Sequence, residues 1–258
     1  MTTIKNNCKQ IIRIAKMELS TMFYSPIAWL LLVVFAFQVG SIFADKLDNS
    51  LRAIDMDRGL FALSTIFFTG TGSVFAEVVK NIYLYIPLLT MGLMSREYSS
   101  GSIKLLYSSP IKDSSIVLGK FFAMVVYGFV LMSVAFIYVG FSGIVIENFE
   151  WGMVLTGMLG IFLLLCAYSA IGLFMSSLTS YQVVAAIGTL ALLSVLNYVK
   201  EVGQNIEFVK QITYWLSLSG RVDVFIKGLI SSEGVVYFIT VIVLFILLTI
   251  FRINGERE

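Results

Sequence analysis

The chain has no histidine and only two cysteines in 258 residues. The first absence removes the commonest general base and the commonest metal ligand. Cys8 lies in a polar N-terminal arm and Cys166 deep in an apolar run. Such different depths argue against a mutual disulfide, and two isolated thiols make no zinc site. No phosphate-binding loop of the G-x-x-x-x-G-K-[ST] type occurs, so any ATP and magnesium would be bound by another chain. No metal-ligand cluster and no nucleophile-plus-base arrangement is present, so neither a catalytic nor a metal-binding residue is assigned. Charge is scarce as well: 13% of residues are charged, and the formal net charge of +2 points to no partner. No nucleic acid is expected to bind.

The apolar content is correspondingly high, at 58%. Soluble domains have roughly 45–50% apolar and about 25% charged residues, and about 18 consecutive apolar residues suffice for a spanning helix. The pattern is that of an all-α integral membrane protein, read as a single transmembrane domain over 1–258. Six spans are expected at 27–43, 73–94, 116–146, 153–178, 182–199 and 235–253. Pro87 should kink the second. The first apolar run begins too late and is too long for a cleavable signal peptide, so it is expected to be retained. Apart from Glu77, Lys80, Lys120 and Arg252 near span ends, the spans carry no charge. That disfavours a proton- or sodium-coupled carrier, which needs ionisable groups along its path.

Residues 4–24 have helical periodicity. Ile4, Cys8, Ile11, Ile12, Ala15, Leu19 and Met22 recur at spacings of three and four, while Lys5, Lys9, Arg13 and Lys16 fill the other face. This is the pattern of an elbow helix lying in the membrane interface with its cations toward headgroups. Ser25-Pro26 then breaks it and starts the next helix. Further cations, Arg96, Lys104, Lys112, Lys120, Arg252 and Arg257, fall on the same side of the six-span map. Asp45, Asp48, Asp55, Asp57, Glu147 and Glu150 fall on the other. By the positive-inside rule both termini and the 95–112 loop are cytoplasmic.

Residues 200–234 are too apolar for a solvated loop. Phe208, Val209, Ile212, Trp215 and Leu216 form one helical stripe, and Phe225, Ile226 and Leu229 a second. Each piece is too short to span, which suggests an outer re-entrant hairpin. Gln38, Thr90 and Asn197 are polar positions inside the spans. They are candidates to line a path for an amphipathic substrate, or simply to hydrogen-bond neighbouring helices. Gly172 and Ser176, four apart, form a small-residue contact of the kind common in membrane helices.

The loop "SREYSSGSIKLLYSSPI" at 95–111 is more than a link. Arg96 and Glu97 open it, Gly101-Ser102 break it, and "SIKLLY" forms a short amphipathic helix that Ser102 can cap and Ser109-Pro110 can end. Exposed Ile103, Leu105 and Leu106 need something to bury against. The membrane surface and a groove on a cytoplasmic partner are both open to it.

The block "MGLMSREYSSGSIKLLYSSPIKDSSIVLGKFFA" resembles the signature of ABC-2 type permease subunits. In that family an acidic residue, a glycine–small pair, a leucine pair and a small–Pro turn precede a helix opening with "VLGK". Glu97, Gly101-Ser102, Leu105-Leu106, Ser109-Pro110 and Val117–Lys120 stand in that order. Ser102 and Lys104 depart mildly from the usual Thr and Glu. The segments "MELSTMFYSPIAWLLLVVF", "LFMSSLTSYQVVAA" and "VYFITVIVLFILLTIF" look like the branch that includes gliding-motility-associated permeases. The resemblance implies a non-enzymatic transport subunit, one half of a dimer of like or related permeases in the inner membrane, beside separate ATP-binding subunits. It makes Arg96, Glu97, Gly101, Ser102, Leu105, Leu106 and Pro110 the coupling residues and tips the loop toward a partner groove. A non-transporting component that anchors or assembles an envelope machine is the rival reading.

Overall fold

The computed structural model describes residues 2–55, 67–68, 72–104, 111–146, 149–199 and 217–257. Ten helices are described, and no strand occurs among the described residues: α1 (Thr2–Tyr24), α2 (Pro26–Asp55), α3 (Val74–Ile82), α4 (Tyr85–Thr90), α5 (Ser95–Ser100), α6 (Asp113–Val145), α7 (Trp151–Ser177), α8 (Gln182–Tyr198), α9 (Leu218–Ile226) and α10 (Ser232–Arg257). Four stretches are long and apolar enough to cross a bilayer: Pro26–Asn49, α6, α7 and Ser232–Gly255. A fifth crossing is available if the bent run from α3 through α5 counts as one. The 17 residues of α8 are apolar but extend only roughly 26 Å at 1.5 Å per residue.

α7 is the helix around which the others gather. It packs against α10, α9, α6, α8, α4 and α3. Its sequence permits this because glycines sit where neighbours press closest. A Cβ on Gly157 would meet Phe75, one on Gly160 would meet Phe225, and one on Gly172 would collide with Thr90 Oγ1. In lipid, where the hydrophobic effect does not drive helices together, such close packing is the main source of association.

α2 is longer than its apolar run. The expected span ends at residue 43, yet the helix continues to Asp55. Apolar character stops there but helix-forming character does not, and an Asp48–Arg52 pair at 2.9 Å supports the extension one turn apart.

The second span differs more. It is not one kinked helix but three pieces. The first break, at Tyr83–Leu84, bends the run by 46°. It falls four residues before Pro87, where the ring would clash with the Tyr83 carbonyl, and leaves Pro87 in the first turn of α4, where a missing N–H costs nothing. The second break, at Met91–Met94, has no proline. There α5 occupies the first residues of the expected loop and ends at Gly101, whose φ of 71° suits only a residue without a Cβ. Ile103, expected to be exposed, is buried in the core.

The second arm of the expected outer hairpin is α9, and it is packed on protein. Phe225 and Ile226 join the core, while Leu229 lies past Gly228 and is exposed. Phe208, Val209, Ile212, Trp215 and Leu216 lie outside the described residues.

The glycine contacts give a direct test. Gly172→Val should force α4 and α7 apart and lower the melting temperature in detergent by several degrees, given about 1–3 kcal/mol for overpacking and roughly 2–4 °C per kcal/mol. Gly140→Ala, with nothing within 4 Å of the new methyl, should leave it unchanged or raise it slightly. Equal losses at both positions would contradict this packing.

Candidate functional site

The second break lies where α1, α5, α6 and α7 meet, and its freed backbone groups are met by side chains from other helices. The Ser176 hydroxyl of α7 accepts from the Met94 and Ser95 N–H groups at 3.0 and 3.1 Å and donates to the Met91 carbonyl at 2.9 Å. That is one donor and two acceptor sites, all used. Ser95 Oγ also donates to the Met91 carbonyl. Ser176 is therefore a cap supplied by another helix, not only the small packing residue its spacing suggests. Irregular backbone at membrane depth is tolerated where protein satisfies it in this way.

Lys120, 1% exposed, completes the repair. Its ammonium donates to the Leu93 carbonyl at 2.6 Å, to Glu18 Oε2 at 3.1 Å and contacts Glu97 Oε1 at 2.7 Å. Two of its N–H bonds go to oxygens of α1 and the break, and the Glu97 carboxylate of α5 adds an ion pair. The other oxygen of Glu18 accepts from the Arg96 guanidinium at 3.1 Å. Glu18, Arg96, Glu97 and Lys120 thus form a neutral cluster of two acids and two bases. Arg96 is its most exposed member, with 44% of the side chain accessible against 4% for Glu18. Breaking a buried pair by removing one partner costs about 3–5 kcal/mol because the other charge is stranded.

Of the residues expected to couple to a partner, Arg96 and Glu97 are drawn inward to this cluster. Gly101 terminates α5. The described hydrogen bonds of Ser102 run back to α5: its N–H donates to Ser100 Oγ at 3.4 Å and the two hydroxyls lie 2.9 Å apart. Leu105, Leu106 and Pro110 lie outside the described residues.

The elbow cations Lys9, Arg13 and Lys16 are exposed, and Lys5 belongs to α1 although its side chain is outside the described set. The protein-facing stripe of α1 is Ile11, Ile14, Glu18 and Met22, and Ile14 presses against Gly119 of α6, 2.6 Å from where a Cβ would stand. Cys8 and Ile12, expected on the apolar face, are exposed.

Gln38, Thr90 and Asn197 occupy three separate helix contacts. Gln38 accepts from the Tyr85 hydroxyl, Thr90 donates to Ile86 O at 2.9 Å and faces Gly172, and the backbone carbonyl of Asn197 accepts from the Ser219 hydroxyl.

A model of the ABC-2 family transporter proteins matches residues 12–206. The chain belongs to this family. No curated protein matches it significantly. The matched stretch of this ABC-2 protein contains the whole ion cluster and Ser176. Membership makes the chain a membrane transport component, not catalytic itself, and implies association with an ATP-binding subunit. The sequence does not single out two members of the cluster, Glu18 and Lys120, or the Ser176 cap beside it. Glu18 stands four residues after Ile14 and seven after Ile11, a position the apolar period reserves for a hydrophobe, and that misfit is its signal. Lys120 reads as a span-end charge, and Ser176 as a small packing residue. Arg221 was missed too: it is 4% exposed, pairs with Glu233 at 3.2 Å and lies 4.4 Å from the Tyr237 ring centroid.

Lys120→Met should cost the permease about 3–5 kcal/mol of stability. In a double-mutant cycle with Glu97→Gln it should show coupling of about 1 kcal/mol or more, measured by denaturant unfolding in detergent. Additive losses would mean that the two charges do not act as a pair.

Proposed function

We propose that the chain is the permease subunit of an ABC exporter and that the α5 segment transmits the work of a partner ATPase to the bundle. The observation that carries this is the placement of Arg96 and Glu97. They sit on the short helix that opens the 95–112 loop and are tied by ion pairs to α1 through Glu18 and to α6 through Lys120. A displacement of the loop is thereby delivered to two other helices, and the break at Met91–Met94 lets α4 and α5 change their angle without unwinding either. A push applied to an unbroken and unpaired loop would dissipate in side-chain motion.

In this reading the bent run α3–α5 and the short α8 each count as a crossing, which makes six. α9 is half of an outer re-entrant hairpin, and α1 is an elbow in the cytoplasmic leaflet with both termini in the cytoplasm. ATP and magnesium bind the partner subunit, and a second permease, identical or related, completes the complex in the inner membrane. The likeness of the N-terminal, 173–186 and C-terminal segments favours the gliding-motility-associated branch of the family.

Glu97→Ala and Leu105→Asp are expected to reduce permease-stimulated ATP hydrolysis several-fold in a reconstituted complex while the permease still folds. Unchanged stimulation together with unchanged co-purification of the ATPase would remove the coupling role. A cysteine at Ser102 should react with a membrane-impermeant maleimide from the cytoplasmic side. Labelling only from outside would reverse the orientation.

A further inference from the structure

A crevice of about 140 Å³ opens beside the ion cluster. It is lined by α1 and the start of α2 (Glu18, Thr21, Ser25, Ala28), by the broken second span (Met91, Gly92, Arg96) and by Gln182 at the start of α8. At roughly 30 Å³ of liquid volume per water it has room for about five waters, so it is not a packing defect. Pockets for drug-sized molecules are larger, about 300–1,000 Å³. A polar headgroup would fit it, with any apolar chains left outside in the bilayer.

The charges in the crevice select the sign of the ligand. Glu18 is buried and both its oxygens are already taken, one by Arg96 and one by Lys120. Arg96 is nearly half exposed, so the cation is the charge a ligand can reach. It can also be recruited without stranding its partner, because Glu18 keeps Lys120. A guanidinium presents a planar fork that suits phosphate and carboxylate oxygens. The other polar groups, Thr21, Ser25 and Gln182, are neutral. The exposed cations Lys9, Arg13 and Lys16 add positive charge on the same helix as Glu18.

We propose that this crevice binds a phosphate-type oxyanion, in the first place the headgroup of an anionic amphiphile, with Arg96 as the residue that contacts it. The proposal builds on the coupling reading by giving the cluster an input. α5 carries both Arg96 and Glu97, so a ligand that draws Arg96 away from Glu18 shifts the load on the helix that Glu97 ties to Lys120. Occupancy of the crevice and movement of the 95–112 loop then become two ends of one mechanical element.

The test uses the full-length permease without its ATPase, so that it cannot fail merely because coupling is absent. Thermal unfolding is followed in nanodiscs of phosphatidylcholine alone, of phosphatidylcholine with one-fifth phosphatidylglycerol, and of phosphatidylcholine with millimolar inorganic phosphate. The anionic lipid should raise the midpoint by roughly 2–4 °C. Arg96→Gln should lose more than half of that rise and Arg96→Lys should keep most of it. Lys9→Gln with Arg13→Gln should preserve the contrast between Arg96 and its Gln variant. A rise with inorganic phosphate that Arg96→Gln removes supports the same site with a soluble anion as its occupant. Equal rises in wild type and Arg96→Gln, or no rise in any disc, would overturn the proposal. If the site survives but Glu97→Ala leaves ATP hydrolysis untouched in the complex, the crevice stands and the coupling reading falls.

Discussion

One ammonium group holds together the end of the bundle where α1, α5 and α6 meet. Lys120 is buried on an apolar helix, and its cost of desolvation is met only because three oxygens converge on it from three different parts of the chain. The orientation of α1, the break in the second span and the inward turn of Glu97 all follow from that requirement. Without Glu18, α1 would have no reason to present a charged residue to α6. Without the break, the Leu93 carbonyl would be occupied within its own helix. Ser176 supplies the matching constraint from the opposite side by capping the helix that restarts after the break. The site is thus a joint: a place where the backbone is deliberately interrupted and where polar side chains from neighbouring helices substitute for the missing hydrogen bonds.

A joint of this kind resolves a mechanical conflict in membrane proteins. A continuous helix transmits force but cannot bend, and an unsatisfied break bends but cannot survive in a low-dielectric surrounding. Satisfying the break through neighbouring helices gives a hinge whose angle is set by the distances between those helices. The ion pairs add direction, since they link the hinge to α1 and α6 more firmly than neutral contacts would. The packing around α7 is tight where its glycines lie against Phe75, Thr90 and Phe225, so in the proposed coupling that helix is the fixed member against which the broken segment would move.

The sequence made the helical architecture legible because apolar runs of spanning length have few other meanings. Pro26 and Gly101 marked real boundaries for reasons of backbone geometry. The break at Met91–Met94 was not legible, because nothing in "TMGLMS" forbids a helix; the hydroxyl that satisfies its freed N–H groups lies some 80 residues away on Ser176. The cluster was hidden for the same reason. Glu18, Arg96, Glu97 and Lys120 are ordinary charges in the sequence, and only their convergence makes them a site. The burial of Ile103 is not legible either, because a short amphipathic stretch does not reveal which neighbour it leans on. The extension of α2 past residue 43 shows that the end of an apolar run marks the end of a lipid-facing surface, not of a helix.

The separation of 102 positions between Glu18 and Lys120 bears on how the protein is made. A ribosome adds roughly 5–20 residues per second, so Glu18 emerges about 5–20 s before the lysine that will neutralise it. A carboxylate on a spanning helix would have to cross the insertion machinery unpaired during that interval. Placed on α1 before the first apolar span, it can stay hydrated until α6 arrives, and docking of the elbow becomes a late step of assembly.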